Sequence, residues 1–318
     1  MIDQVDFSSD FKSLFCLSRK MFYQSSRCFF VLNVLMLFVC CGQNSDTYKK
    51  QNSEKDVKSH ISTKQIEFSL LNDTVFRVPW KSSFVEVIFR HSVLAHPNGV
   101  IVLLPGWNFS SDEWCTKMDF CQKASAAGFD LIMPQMLKSI YAMEYYPETR
   151  FDLTSSPTRR WLNDTLIPFF QLKFGLLKEG KNNFICGIST GGRGAMLLAM
   201  DHPEIFTKGV ALSGDFNPLS MQNDHLLKIY YGSYNKFRQR WKNSDNAYLR
   251  INELKIPFYI LHGDADGVVN SNQATEFYRL ADSMKIKGVK IKVVKGAGHN
   301  YKFWNDQCDE IISFFQKD

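Results

Sequence analysis

The sequence predicts an α/β domain: one mainly parallel central sheet with helices on both faces, a three-layer sandwich. Three observations carry that expectation. Continuous apolar runs alternate with helical patterns along most of the chain, the rhythm of a sheet covered on both sides. One of these runs passes through a glycine cluster, Gly187-Ile188-Ser189-Thr190-Gly191-Gly192, into a small-residue helix pattern. A content of 45% hydrophobic and 14% aromatic residues over 318 positions is enough to bury a full core. One domain over roughly residues 65–318 is the economical reading, and no internal repeat is visible.

In chain order, "QIEFSL", "TVFRV" and "FVEVIFR" alternate apolar and polar residues and predict early antiparallel strands. "GVIVLLP" (Gly99 to Pro105) is unbroken, as a strand buried on both faces should be. "SDEWCTKMDFCQKASAAG" predicts a helix with Ser111 or Asp112 as its cap and Gly128 as its stop. "FDLIMP", "NNFICGI", "KGVALSG", "IPFYILHG" and "KIKVVKG" supply the remaining strands. Helical patterns lie at Trp161 to Leu177, Gly191 to Met200, Gln273 to Met284 and Phe303 to Phe315. Two stretches break the rhythm, Tyr141 to Arg160 and Asp215 to Arg250, both long, aromatic-rich and basic. Loops at strand C-terminal ends shape the site in such sheets, so both are expected to wall or partly cover a pocket.

The N-terminal region differs from the rest. "CFFVLNVLMLFVCC" (Cys28 to Cys41) is a 14-residue run interrupted only by Asn33 and preceded by Arg27. It is short for a membrane span but suits the apolar centre of a secretory signal, for which Met21 would be an ordinary start. The run closes on Cys40 and Cys41 before the polar stretch Gln43 to Lys64. This resembles a bacterial lipoprotein signal, with residues 1–41 as leader and 42–64 as linker. The expectation is a secreted or envelope protein, held at a membrane by a lipidated cysteine. A plain cleaved signal and a short uncleaved anchor are the alternatives.

Four of the eight cysteines lie in this leader, and no pair among Cys115, Cys121, Cys186 and Cys308 has zinc-ligand spacing. Cys115 and Cys121 could bridge in an oxidising compartment, although spacing does not show that their side chains meet. The net charge of +6 is scattered without a Lys/Arg stripe, which argues against nucleic acid as a partner.

The glycine cluster has the form G-x-S-x-G with a strand before it and a helix after it, the context a nucleophile elbow requires. A sharp strand-to-helix turn would expose Ser189 and leave no room for a Cβ at 187 or 191, while Gly192 and Gly194 would let the helix pack closely on the sheet. Downstream, "LHGDADGVV" puts Asp264 and Asp266 just after a buried strand, and "GAGHNYKFW" puts His299 after the last one. Nucleophile, acid, histidine is the chain order of α/β-hydrolases. The chemistry needs all three: a serine hydroxyl requires a base to accept its proton, and a carboxylate fixes the base's tautomer. His262, Asp264 and Asp266 also alternate like a set of metal ligands, but no second cluster supports a metal.

On these residues the chain resembles the α/β-hydrolases, most nearly the esterase group that includes esterase D and feruloyl esterases. "GISTGGRGAMLLAMDHPEIFTKGVALSGDFNP" and "GHNYKFW" are similar to that group's elbow and histidine segments. "IPFYILHGDADGVV" looks equally at home among dienelactone-hydrolase-like and prolyl-peptidase-like members. The resemblance spans roughly Val100 to Phe315. It implies Ser189 as nucleophile, His299 as base and Asp266 as acid, with Asp264 as the alternative acid. It also implies an oxyanion hole from the backbone N–H groups of Thr190 and, by position in Pro105-Gly106-Trp107, of Trp107. The activity it implies is hydrolysis of small-molecule or polysaccharide-linked carboxylic esters through an acyl-enzyme, with no metal or nucleotide cofactor. The rivals are a peptidase of the prolyl-peptidase type and a hydrolase fold kept for binding.

Overall fold

A computed structural model describes residues 73–317. The leader, the linker and "QIEFSL" lie outside the described residues. Eight strands form one sheet: β1 (Thr74–Trp80), β2 (Ser83–Arg90), β3 (Gly99–Leu104), β4 (Phe129–Pro134), β5 (Asn183–Ile188), β6 (Lys208–Leu212), β7 (Phe258–Gly263) and β8 (Val289–Val294). Their spatial order is β1-β2-β4-β3-β5-β6-β7-β8. β1 and β2 form an antiparallel hairpin, and β2 lies antiparallel to β4. From β4 and β3 through β8 every pairing is parallel.

Successive side chains of a strand point to opposite faces, and the two large apolar clusters follow that alternation. Val100, Val102 and Leu104 of β3 join one cluster, and Ile101 and Leu103 join the other. On β7, Phe258 and Ile260 take the first face, and Tyr259 and Leu261 the second.

The helices are α1 (Glu113–Thr116), α2 (Phe120–Ala126), α3 (Arg159–Trp161), α4 (Ile167–Phe174), α5 (Thr190–Asp201), α6 (His225–Tyr231), α7 (Asn272–Ser283), α8 (Tyr301–Asp306) and α9 (Cys308–Gln316). α4, α5 and α7 cover the first face through Phe170, Leu198 and Phe277. α1, α2, α8 and α9 cover the second through Trp114, Phe120, Trp304 and Phe315. Among the described residues, no helix is long and apolar enough to cross a membrane.

Three helices depart from the sequence expectation. The one expected up to Gly128 breaks at Lys117–Asp119, and Asp112 makes no side-chain cap. The cause is covalent. Cys115 and Cys121 are disulfide-bonded with Cα atoms 5.0 Å apart, whereas six residues of continuous helix rise about 9 Å. The segment from Trp161 carries a π-helical turn at Leu162–Leu166 and stops at Phe174, where Gly175 turns left-handed at φ 68°. The last helix begins earlier, at Tyr301, and breaks at Gln307.

The two irregular stretches pack together. Ile140, Ala142 and Leu153 from the first meet Leu227, Tyr230, Tyr231 and Trp241 from the second in a separate apolar cluster. A buried ionic knot ties both to the end of α5. Fully buried Arg159 pairs with the carboxylates of Asp201 and Asp245, and Arg250 reaches Asp201 at 2.8 Å. Tyr141 donates its hydroxyl to the Pro105 carbonyl at 2.7 Å, which anchors this cap to the loop after β3.

Candidate active site

The chain turns from β5 into α5 at Ser189, whose backbone sits at φ 57°, ψ −122°. Few non-glycine residues are held there, and such strain costs on the order of 1–3 kcal/mol. Crowding explains the flanking glycines. A Cβ at Gly187 would lie 1.9 Å from the Gly191 carbonyl oxygen, and one at Gly191 would lie 2.2 Å from the carbonyl oxygen of Leu104. A Cβ at Gly194 would meet the Tyr141 ring of the cap, not the sheet as the sequence suggests.

Ser189, Asp266 and His299 come from three separate parts of the chain and meet beyond the strands' C-terminal ends. His299 Nε2 lies 3.0 Å from Ser189 Oγ, and its Nδ1 lies 2.7 Å from Asp266 Oδ2. Asp266 Oδ1 accepts the backbone amides of Val268 and Val269, each at 2.9 Å. Burial alone would raise the Asp266 pKa. Donation from His262, from His299 and from the Val269 amide outweighs it and holds the carboxyl well below the usual carboxylate range. Asp264 is placed elsewhere: it is exposed, and its Oδ1 accepts the Gly296 amide at 2.6 Å.

Trp304 sets its ring edge-on to the imidazole of His299, with centroids 5.1 Å apart, and donates its indole N–H to Ser213 Oγ at 3.1 Å. Asn300 caps α8 by accepting the Phe303 amide, which fixes the backbone just after His299. "GHNYKFW" therefore carries both the histidine and its support.

The loop after β3 runs against Ser189, since a Cβ at Gly106 would stand 3.2 Å from its Cβ. Thr190 opens α5, and the amide of a first helical residue has no partner within its helix. Among the described residues the Trp107 amide also meets no acceptor, while its neighbours Asn108 and Phe109 donate to Leu137 and Gly106. Trp107 and Thr190 line a cavity of about 310 Å³ together with Ser189 and His299. Met221, Leu226, Leu227, Val268 and Val269 give the cavity an apolar wall. Sequence reasoning missed the paired charges that also line the cavity, Arg193 and Asp215, both buried and ion-paired. Arg193 stands four residues after Ser189, one helical turn on, and that spacing is the signal that could have found it. Among the described residues, no group of three or more His, Cys, Asp or Glu side chains is placed to hold a metal ion.

Fold and sequence together define an ester-hydrolysing serine hydrolase, carboxylesterase-like in class. Residues 100–315 match the family described as "Putative esterase", and the chain belongs to it. No curated protein matches the sequence. Among solved structures, the fluorophosphonate-binding serine hydrolase F of Staphylococcus aureus is similar in fold, at 16% identity and TM-score 0.64, over 78% of this chain and 98% of that one. An S-formylglutathione hydrolase from Agrobacterium tumefaciens is similar at 17% identity and TM-score 0.60, over 76% of this chain and 93% of that one. An acylaminoacyl peptidase of Pyrococcus horikoshii shares 14% identity at TM-score 0.61, over 80% of this chain but 43% of the peptidase. The fold is that of the α/β-hydrolases.

Proposed function

We propose that the protein cleaves carboxylic esters of small apolar acyl groups through an acyl-enzyme on Ser189. The observation that carries this reading is the hydrogen-bonded line from Ser189 Oγ through His299 to Asp266 Oδ2. In the first half-reaction His299 Nε2 takes the Ser189 proton as Oγ attacks the ester carbonyl. Asp266 holds Nδ1–H and stabilises the imidazolium that forms. The Trp107 and Thr190 amides receive the oxyanion. His299 then protonates the departing alcohol, and water repeats the sequence on the acyl-enzyme to release the acid.

The cavity's apolar wall receives the acyl group, and its size favours short to medium chains or one aromatic ring. A fluorophosphonate probe is expected to label the protein at a single serine, in the peptide containing Ser189. A p-nitrophenyl ester series should show kcat/KM rising from acetate to a mid-length acyl group and falling by hexadecanoate. The matching p-nitroanilides should be turned over far more slowly. Labelling elsewhere, or anilides cleaved as fast as esters, would overturn the reading.

We also propose that the mature protein resides in the cell envelope, lipidated at Cys40 or Cys41 and tethered by residues 42–64. The Cys115–Cys121 disulfide supports an oxidising compartment. Two acyl chains on one cysteine give stable membrane attachment. The protein should then sediment with membranes and be released by detergent but not by high salt. Mass spectrometry should find a lipidated cysteine as the first residue; an unmodified N-terminus beyond residue 41 would mean simple secretion.

A further inference from the structure

His262 is the last but one residue of β7, fully buried, and outside the line from Ser189 to Asp266. Its Nε2 lies 2.9 Å from the Val269 carbonyl oxygen and 3.4 Å from Asp266 Oδ2. A carbonyl only accepts, so Nε2 carries a proton. Nδ1 is buried and has no partner among the described residues. A buried polar atom left without a partner is a cost to folding that an apolar side chain of similar volume would avoid. A position that served packing alone would not hold a half-satisfied imidazole.

We propose that His262 is a positioning residue for the acid. This rests on the Ser189–His299–Asp266 reading and deepens it. The turn after β7 must present one carboxylate oxygen, Oδ2, squarely to His299 Nδ1. Two backbone amides hold the other oxygen, and one of them belongs to Val269. His262 grips the same residue from its other side, through the carbonyl, and the same nitrogen stands 3.4 Å from Oδ2 in an ionic contact. The imidazole thus closes a ring from β7 to Val269, to Asp266 and back to β7. It fixes the carboxylate's rotation and, because Val269 also lines the cavity, the wall beside it.

The test compares His262→Leu, His262→Gln and His262→Asn in full-length protein, with Ser189→Ala as control. Leucine fills the space without a donor. Glutamine carries an amide N–H about as far out as Nε2, and asparagine's is too short to reach. His262→Leu is expected to lose about 10- to 100-fold in kcat on a p-nitrophenyl ester, the scale of a hydrogen bond to a charged group. KM should stay within about twofold, and the melting temperature should not fall in proportion. His262→Gln should recover most of the lost kcat. A folded His262→Leu with wild-type kcat would overturn the proposal. Where His262→Leu fails to fold, equal kcat in the glutamine and asparagine variants would overturn it instead. Turnover surviving in Ser189→Ala would refute the underlying triad, a result distinct from either.

Discussion

Ser189→Ala is expected to lower kcat/KM for esters by about 10⁴- to 10⁶-fold and to leave binding of a non-hydrolysable ester analogue nearly unchanged. Without Oγ no covalent acyl-enzyme forms, and His299 has nothing to deprotonate except water. His299→Ala should cost about as much, and the double variant little more than either, because in the proposed mechanism nucleophile and base act as one unit. The elbow adds a second readout. Alanine inherits the strained backbone at φ 57°, ψ −122°, whereas glycine adopts positive φ without a Cβ penalty. Ser189→Gly should therefore be as inactive as Ser189→Ala but more stable, by about 1 kcal/mol or roughly 2–4 °C in Tm for a domain of this size. Equal melting temperatures would show that the strain relieved does not exceed glycine's entropic cost of about 0.5–1 kcal/mol. Undiminished ester turnover in either variant would remove Ser189 from the mechanism.

The candidate site was legible in the sequence because its parts lie next to strong signals. Ser189, Asp266 and His299 each follow an apolar run within a few residues, and in a parallel sheet consecutive runs end on the same edge. Linear order thus becomes spatial convergence. What the spacing could not resolve was which aspartate faces the imidazole, since Asp264 and Asp266 share one turn. The two amides that hold Asp266 Oδ1 come from Val268 and Val269, and no residue type announces a backbone donor. His262 was visible only as one of three alternating metal-like residues. Its pairing with Val269 depends on how the turn closes.

The helices were legible in place but not in continuity. An apolar period of 3.6 survives a break, so Phe303 to Phe315 reads as one helix although the chain bends at Gln307. The break at Lys117–Asp119 goes with a bond between Cys115 and Cys121 that the sequence permits but does not declare. The cap was recognisable as an interruption of the alternation. Its internal order was not, because it depends on Arg159 meeting Asp201 and Asp245 from stretches more than 40 residues away in sequence.

Asp266→Asn is expected to depress kcat by about 10⁴-fold, while Asp264→Asn changes it by less than about threefold. The reason lies in the two amides. Val268 and Val269 donate to the Oδ1 position, so the introduced side chain must place its carbonyl oxygen there and its NH₂ at the Oδ2 position. That NH₂ then donates to His299 Nδ1, which selects the tautomer with its proton on Nε2, pointing at Ser189. Such an imidazole cannot accept the serine proton. The NH₂ also meets the N–H of His262, donor against donor. At Asp264 the carboxylate accepts the Gly296 amide, and an asparagine oxygen accepts it equally well. Stability supplies an independent check with a defined sign. The folded-state pKa of Asp266 is depressed, so its ionised form stabilises the protein above the unfolded-state pKa of about 4, and the gain fades as pH falls toward the folded value. The stability gap between wild type and Asp266→Asn, read from urea midpoints, should be wide at pH 7 and narrower at pH 3. If Asp264→Asn is instead the crippled variant, the acid is misassigned, and a gap that widens on acidification would mean that Asp266 is not held ionised by its neighbours.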